Sequence, residues 1–180
     1  MKIINELSAK VSCIKDCIPV YNNIPVVFLS VEDVKISGKI AMCRTPKESN
    51  FITGRPSAHV AFYNTDSSIF YGIAKEGDPF GTECIMKLIR NVVSVSSGND
   101  GIYYTVFTLL HEASHYFDYT NNPADYNNAL IMEAKFEKTI EYAMEYRKRA
   151  LEKKADDYAL ENMQKVISEI NTRLFHGMLC

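Results

Sequence analysis

Tryptophan is absent from the 180 residues, and no apolar run approaches the roughly 20 residues of a membrane span. Met1 to Val20 is interrupted by Asn5, Glu6, Lys10, Lys15 and Asp16, so it lacks the apolar centre of a signal peptide, and a cytoplasmic location is expected. The five cysteines, Cys13, Cys17, Cys43, Cys84 and Cys180, are odd in number and scattered, which argues against a disulfide framework. Cys13 and Cys17 could share a helix face, but no second Cys or His pair lies near enough to close a structural zinc site. Neither sign of charge dominates: the net charge of −2 predicts no general attraction to nucleic acid or to an anionic membrane. What is present, 47% hydrophobic and 23% charged residues, is ordinary for a globular chain of a length that suits one domain.

Ile3, Ile4, Leu7, Val11 and Ile14 have helical spacing and predict an amphipathic first helix over 3–16. Residues 24–31 and 34–43 read as strands, the second with a turn at Ser37-Gly38, and 44–57 is irregular. His59 to Tyr63 and Ile69 to Ile73 flank the turn formers Asn64 to Ser68, the pattern of a β-hairpin. Glu76 to Gly81 reads as a turn, and Thr82 as the cap of a helix reaching about Val95. Ser96 to Gly101 is a breaker that offers Asn99 or Asp100 as the cap of the next helix, which Asn121-Asn122-Pro123 ends.

Between Ala124 and Phe175 there is neither glycine nor proline. Helix is expected throughout, broken once near Lys148 to Leu151, because a single helix of about 75 Å would overhang a small domain. The expected architecture is α+β in a single domain, 1–180. A small antiparallel sheet within 1–100 packs on a helical half, 101–180.

The chemistry concentrates in His111-Glu112-Ala113-Ser114-His115. On a helix, residues four apart lie about 40° from one another around the axis, so His111 and His115 project side by side and can bind one metal ion. Glu112, about 100° from His111, falls beside such a metal, where it can take a proton from water. This is the HExxH pattern of zinc peptidases. A random shuffle of this composition yields it about 0.006 times per chain, so chance is a poor explanation. Tyr103, Val106, Phe107, Leu109, Leu110, Ala113, Tyr116 and Phe117 surround the pattern with apolar groups, the mark of a buried helix.

A catalytic zinc site needs a third protein ligand. The metzincin solution is excluded, since Asp118 and Asn121 stand where its Gly and third His belong. Glu152 and Asp156, four apart, could share a helix face, with Glu152 on zinc and Asp156 accepting a hydrogen bond from the far nitrogen of a ligand imidazole. Ala155 and Ala159 would let that helix lie close to the first. Glu133, Glu137, Glu141 and Glu145 are rivals for the third ligand. Their bland alternative is a solvated face, with Glu141 paired to Lys138 and Glu145 to Lys148 or Arg149.

HExxH followed by ExxxD resembles the gluzincin peptidases. The set Glu152, Ala155, Asp156, Tyr158 and Ala159 is similar to the motif of small ImmA/IrrE-type metallopeptidases. The resemblance covers about residues 102 to 160, and a second one, to lethal-factor-type toxin peptidases, rests on Asp118 with Glu133 or Glu137. The first implies a zincin-like fold, zinc held by His111, His115 and Glu152, Glu112 as general base and Asp156 behind a ligand histidine. It further implies a protein or peptide substrate, with a transcriptional repressor as one candidate. Tyr158 is a candidate oxyanion donor, together with Tyr116, His176 and Arg149. Substrate is expected along an exposed strand edge, supplied by the 58–74 hairpin. Against the peptidase stand two other readings, a zinc-binding module without hydrolysis and a helical interaction protein built on 124–175.

Overall fold

The computed structural model describes residues 7–46, 57–95, 98–133 and 145–176. In chain order it contains α1 (Val11–Asp16), a short 3-10 helix (Pro19–Asn22), β1 (Val26–Leu29), α2 (Val31–Ser37), β2 (Ala41–Arg44) and β3 (His59–Tyr63). Then follow α3 (Ser67–Gly77), α4 (Pro79–Val92), α5 (Asp100–Asn121), α6 (Pro123–Glu133) and α7 (Ala150–Arg173). The protein is α+β and mostly helical, with a small sheet in its N-terminal half. No helix among the described residues is long and apolar enough to cross a membrane.

The sheet is mixed, which corrects the antiparallel expectation. Its order is β1-β3-β2, with β1 parallel to β3 in the register Val26↔Val60 to Leu29↔Tyr63, and β2 antiparallel to β3 with Ala41↔Phe62 and Arg44↔His59. β3 enters last and takes the middle, where His59, Val60, Ala61 and Phe62 are buried on both faces. One face, with Val60 and Phe62, joins the main core; the other holds the small cluster Leu29, Met42 and Ala61.

Local capping decides where the expected strands stop. The run 24–31 contains only the four strand residues of β1, because Ser30 and Asp33 form a capping box: Ser30 Oγ accepts from the Asp33 amide, and Asp33 accepts from the Ser30 amide at 2.7 Å. Residues 34–37, expected as strand, are therefore helix, and Gly38 ends it in the left-handed region at φ 65°. The expected hairpin is also corrected. Asp66 caps α3 by accepting from the Ser68 amide, so Ile69 to Ile73 is helical, with Phe70 turned into the core. Asp78, not Thr82, caps α4, with Pro79 in the first helical position and Thr82 buried inside the helix. The expected first helix shrinks to α1; Ile3 and Ile4 lie outside the described residues, as do residues 47–56 of the irregular stretch.

The main core draws Ile14, Phe62, Phe70, Ile89, Phe107, Leu110, Met163 and Ile170 from both halves of the chain. Its axis is α5, which touches α1, α3, α4, α6, α7, β2 and β3. The expected stop at Asn121 to Pro123 is observed, since α6 starts at Pro123. A break also falls where expected: the chain turns at Lys148 and Arg149 before α7 begins.

Candidate metal centre

Helix α5 is buried on nearly all sides from Gly101 to Leu110, so its polar groups need internal partners. Thr105 Oγ1 donates to the Gly101 carbonyl at 2.7 Å, and Tyr21 Oη donates to the Leu109 carbonyl at 2.7 Å, just before the HExxH turn. α7 lies along α5, where Ala155 and Ala159 are fully buried and offer no bulk to hold the helices apart. This close approach brings residues separated by 36 intervening positions, His115 and Glu152, into one cluster.

His111, His115 and Glu152 are all buried, and one potential ligand atom from each lies within 4.8 Å of the others. The two Nε2 atoms are 3.0 Å apart. Glu152 Oε2 is 3.3 Å from His111 Nε2, and Glu152 Oε1 is 3.5 Å from His115 Nε2. Behind the first histidine, Asp156 Oδ1 accepts from Nδ1 at 2.9 Å, which commits the Nε2 lone pair of a neutral His111 to the cluster. Lone pairs turned on one another repel unless a proton or a cation lies between them. Two imidazole nitrogens and one carboxylate oxygen are a donor set that suits zinc, so the residues fit this metal.

In the metal-free cluster, electrostatics favour a proton shared between the same groups. Burial disfavours charge on His111, but hydrogen bonds to Asp156 and Glu152 outweigh it and raise its pKa to about 9. Burial would push the Glu152 carboxyl up; hydrogen bonds and charge from His111 and His115 instead hold it well below the usual carboxylate range. Without metal, the pair holds a proton that zinc would have to displace.

Glu112 is not part of the group formed by His111, His115 and Glu152. Its Oε2 accepts from the Cys43 amide at 2.6 Å. The Tyr63 amide donates to the Ile40 carbonyl, so the alternation of the antiparallel ladder turns the main-chain groups of Ala41 and Cys43 away from β3. The edge beside Glu112 is therefore β2. This corrects the expectation of a hairpin edge, because β3 already has a strand on each side.

Two contributors were not foreseen. Tyr146 Oη donates to Glu152 Oε1 at 2.7 Å, and Arg147 Nη1 donates to Asp156 Oδ1 at 2.7 Å. The adjacency of Tyr146 and Arg147 to a predicted chain break was the only available signal. Of the proposed oxyanion donors, Tyr158 lies about 200° around α7 from Asp156, with its ring edge-on to Phe117 at 6.2 Å rather than hydrogen-bonded to the triad. Tyr116 also packs on Phe117, and Arg149 lies over the Tyr146 ring. His176 is exposed. Among the rival ligands, Glu145 is exposed and paired with Lys148 at 2.6 Å, and Asp118 pairs with Lys154. Glu137 and Glu141 lie outside the described residues, and so does the Glu133 side chain.

Comparison with protein-family models, curated proteins and solved structures finds no match for this chain. The functional argument therefore rests on the site's own geometry.

Proposed function

We propose that the protein is a zincin-like, zinc-dependent endopeptidase that hydrolyses a peptide bond in a protein substrate. One observation carries the reading: His111, His115 and Glu152 converge, with Asp156 fixing the His111 ring, while the adjacent Glu112 stands beside them without joining the donor set. His111, His115 and Glu152 would hold the zinc, which when bound supplies a Lewis acid for the scissile carbonyl and lowers the pKa of water. Glu112 accepts the proton of the attacking water and passes it to the leaving amine. The main-chain groups of Ala41, which point away from β3, offer an extended peptide a strand to pair with, next to the Cys43 amide that Glu112 holds. A transcriptional repressor, the substrate suggested by the ImmA/IrrE-type resemblance, is one protein such an edge could hold. Cytoplasmic action is part of the proposal, supported by the unbridged thiols of Cys13, Cys17 and Cys84.

Glu112→Gln tests the reading. With zinc supplied, it should retain the metal and lose cleavage of an unfolded protein such as casein by about 100-fold or more, since general-base catalysis contributes about 10²–10⁴. Cleavage at the wild-type rate would sink the proposal. A zinc-binding module without hydrolysis is the second reading, favoured by the hydrogen bond that ties Glu112 to the Cys43 amide. In that case the wild type binds zinc and cuts nothing.

A further inference from the structure

We propose that Arg147 is a positioning residue of the metal centre: it orients the Asp156 and Glu152 carboxylates toward the histidines and thereby sets metal affinity and coordination geometry. The inference rests on the zinc reading above and adds a role to residues outside the HExxH and ExxxD patterns.

Glu152 and Asp156 are one helical turn apart and both buried, a like-charged pair that α7 would not tolerate uncompensated. Arg147 compensates both. Its Nη1 is 2.7 Å from Asp156 Oδ1 and 3.8 Å from Glu152 Oε2, and its side chain is only 19% exposed. The same Asp156 Oδ1 accepts the hydrogen bond from His111 Nδ1 at 2.9 Å, so the guanidinium fixes the rotamer on which the imidazole orientation depends. Tyr146 acts on the neighbouring carboxylate. By donating to Glu152 Oε1 it holds that carboxylate in place, with Oε2 3.3 Å from His111 Nε2.

The chain geometry makes this possible. Arg149 is extended at φ −62° and ψ 145°, so the chain leaves helical geometry and bends immediately before α7. That bend puts the Tyr146 and Arg147 side chains against the first turns of the helix that follows them. With zinc bound, the charges of Glu112, Glu152, Asp156, Arg147 and the ion sum to zero. A buried centre is most easily held at that balance.

The test measures the zinc dissociation constant by competition with a chromophoric chelator, and the visible absorption of the Co²⁺-substituted protein, for wild type, Arg147→Gln, Arg147→Lys and Tyr146→Phe. Arg147→Gln is expected to weaken zinc binding by about 10- to 100-fold, the usual effect of losing an outer partner of a ligand, and to alter the Co²⁺ bands. Arg147→Lys keeps the charge without the planar fork and should recover part of the affinity. If Arg147→Gln lowers only the thermal midpoint in chelator, leaving zinc affinity and Co²⁺ spectrum as in wild type, Arg147 is merely structural and the proposal falls. Should Arg147→Gln fail to fold, Arg147→Lys and Tyr146→Phe decide by the same two readouts. Absence of zinc binding by the wild type would overturn the functional reading itself, an outcome distinct from a silent Arg147.

Discussion

A single proton links the chemistry of His111 to its surroundings. Because Asp156 and Glu152 raise its pKa to about 9, His111 is protonated at neutral pH in the metal-free protein, whereas a zinc ligand must be neutral. Zinc binding at pH 7.5 should therefore release close to one proton. Titration calorimetry in buffers of different ionisation enthalpy would detect it, and identical heats in all buffers would refute the assignment. Glu152→Ala should reduce zinc affinity by more than about 100-fold, beyond the effect of an outer-shell change, while the wild type retains one ion by elemental analysis. Equal zinc in both would move the third ligand to a residue such as Glu133 or Glu137. At this scale His111, Glu112 and His115 were legible because their spacing on one helix is enough to bring them together. Glu152 and Asp156 were legible as a spaced pair, though not as the choice among several glutamates. Tyr146 and Arg147 were not, since their contacts depend on how the chain bends at Lys148 and Arg149 into α7.

Elements were legible where periodicity was long and obscure where capping was local. α5 follows from the apolar groups around its HExxH turn, and α7 from the lack of glycine and proline between Ala124 and Phe175. The segment 69–73 is as β-branched and aromatic as a strand, yet Asp66 starts a helix there, and Ser30 with Asp33 does the same for 31–37. Side-chain caps satisfy backbone amides at once, whereas a strand needs a distant partner. The seam between α3 and α5 gives a paired test. A Cβ added at Gly101 would lie 2.8 Å from the Ser67 carbonyl oxygen and 3.0 Å from Ser68 Cα, both backbone atoms that cannot swing away. Gly101→Ala should destabilise by about 1–3 kcal/mol through overpacking, read as a lowered urea midpoint. Gly72→Ala, which meets open space inside α3, should stabilise by about 0.5–1 kcal/mol. A neutral Gly101→Ala would show that the seam is loose.

For the whole molecule, pH acts on the same buried cluster to which the proposal assigns the metal. The folded pKa of His111 is raised, so in chelator its contribution is complete below about 6.5 and is lost as pH rises through about 9. The folded pKa of Glu152 is lowered, so its contribution is present above about 4.5 and is lost as pH falls. The metal-free thermal midpoint should therefore fall between pH 7 and pH 10. Saturating zinc should raise the midpoint, by about 4 kcal/mol of stability at a thousandfold excess over Kd, and should flatten the alkaline decline, because the metal requires the neutral imidazole. A chelated protein equally stable at pH 7 and pH 10 would contradict the buried ion pair.

The sequence alone determined the α+β class, the buried HExxH helix, the break before α7 and the side-by-side placement of His111 and His115, because helical spacing is a local rule and apolar periodicity reports which face is covered. Tertiary structure decided the rest. That β3 inserts between β1 and β2, that β2 is the edge beside Glu112, and that Glu152 and Asp156 face His111 all depend on packing between segments far apart in the chain. No spacing encodes such pairings, since they arise only when the core closes and each buried polar group must find its partner.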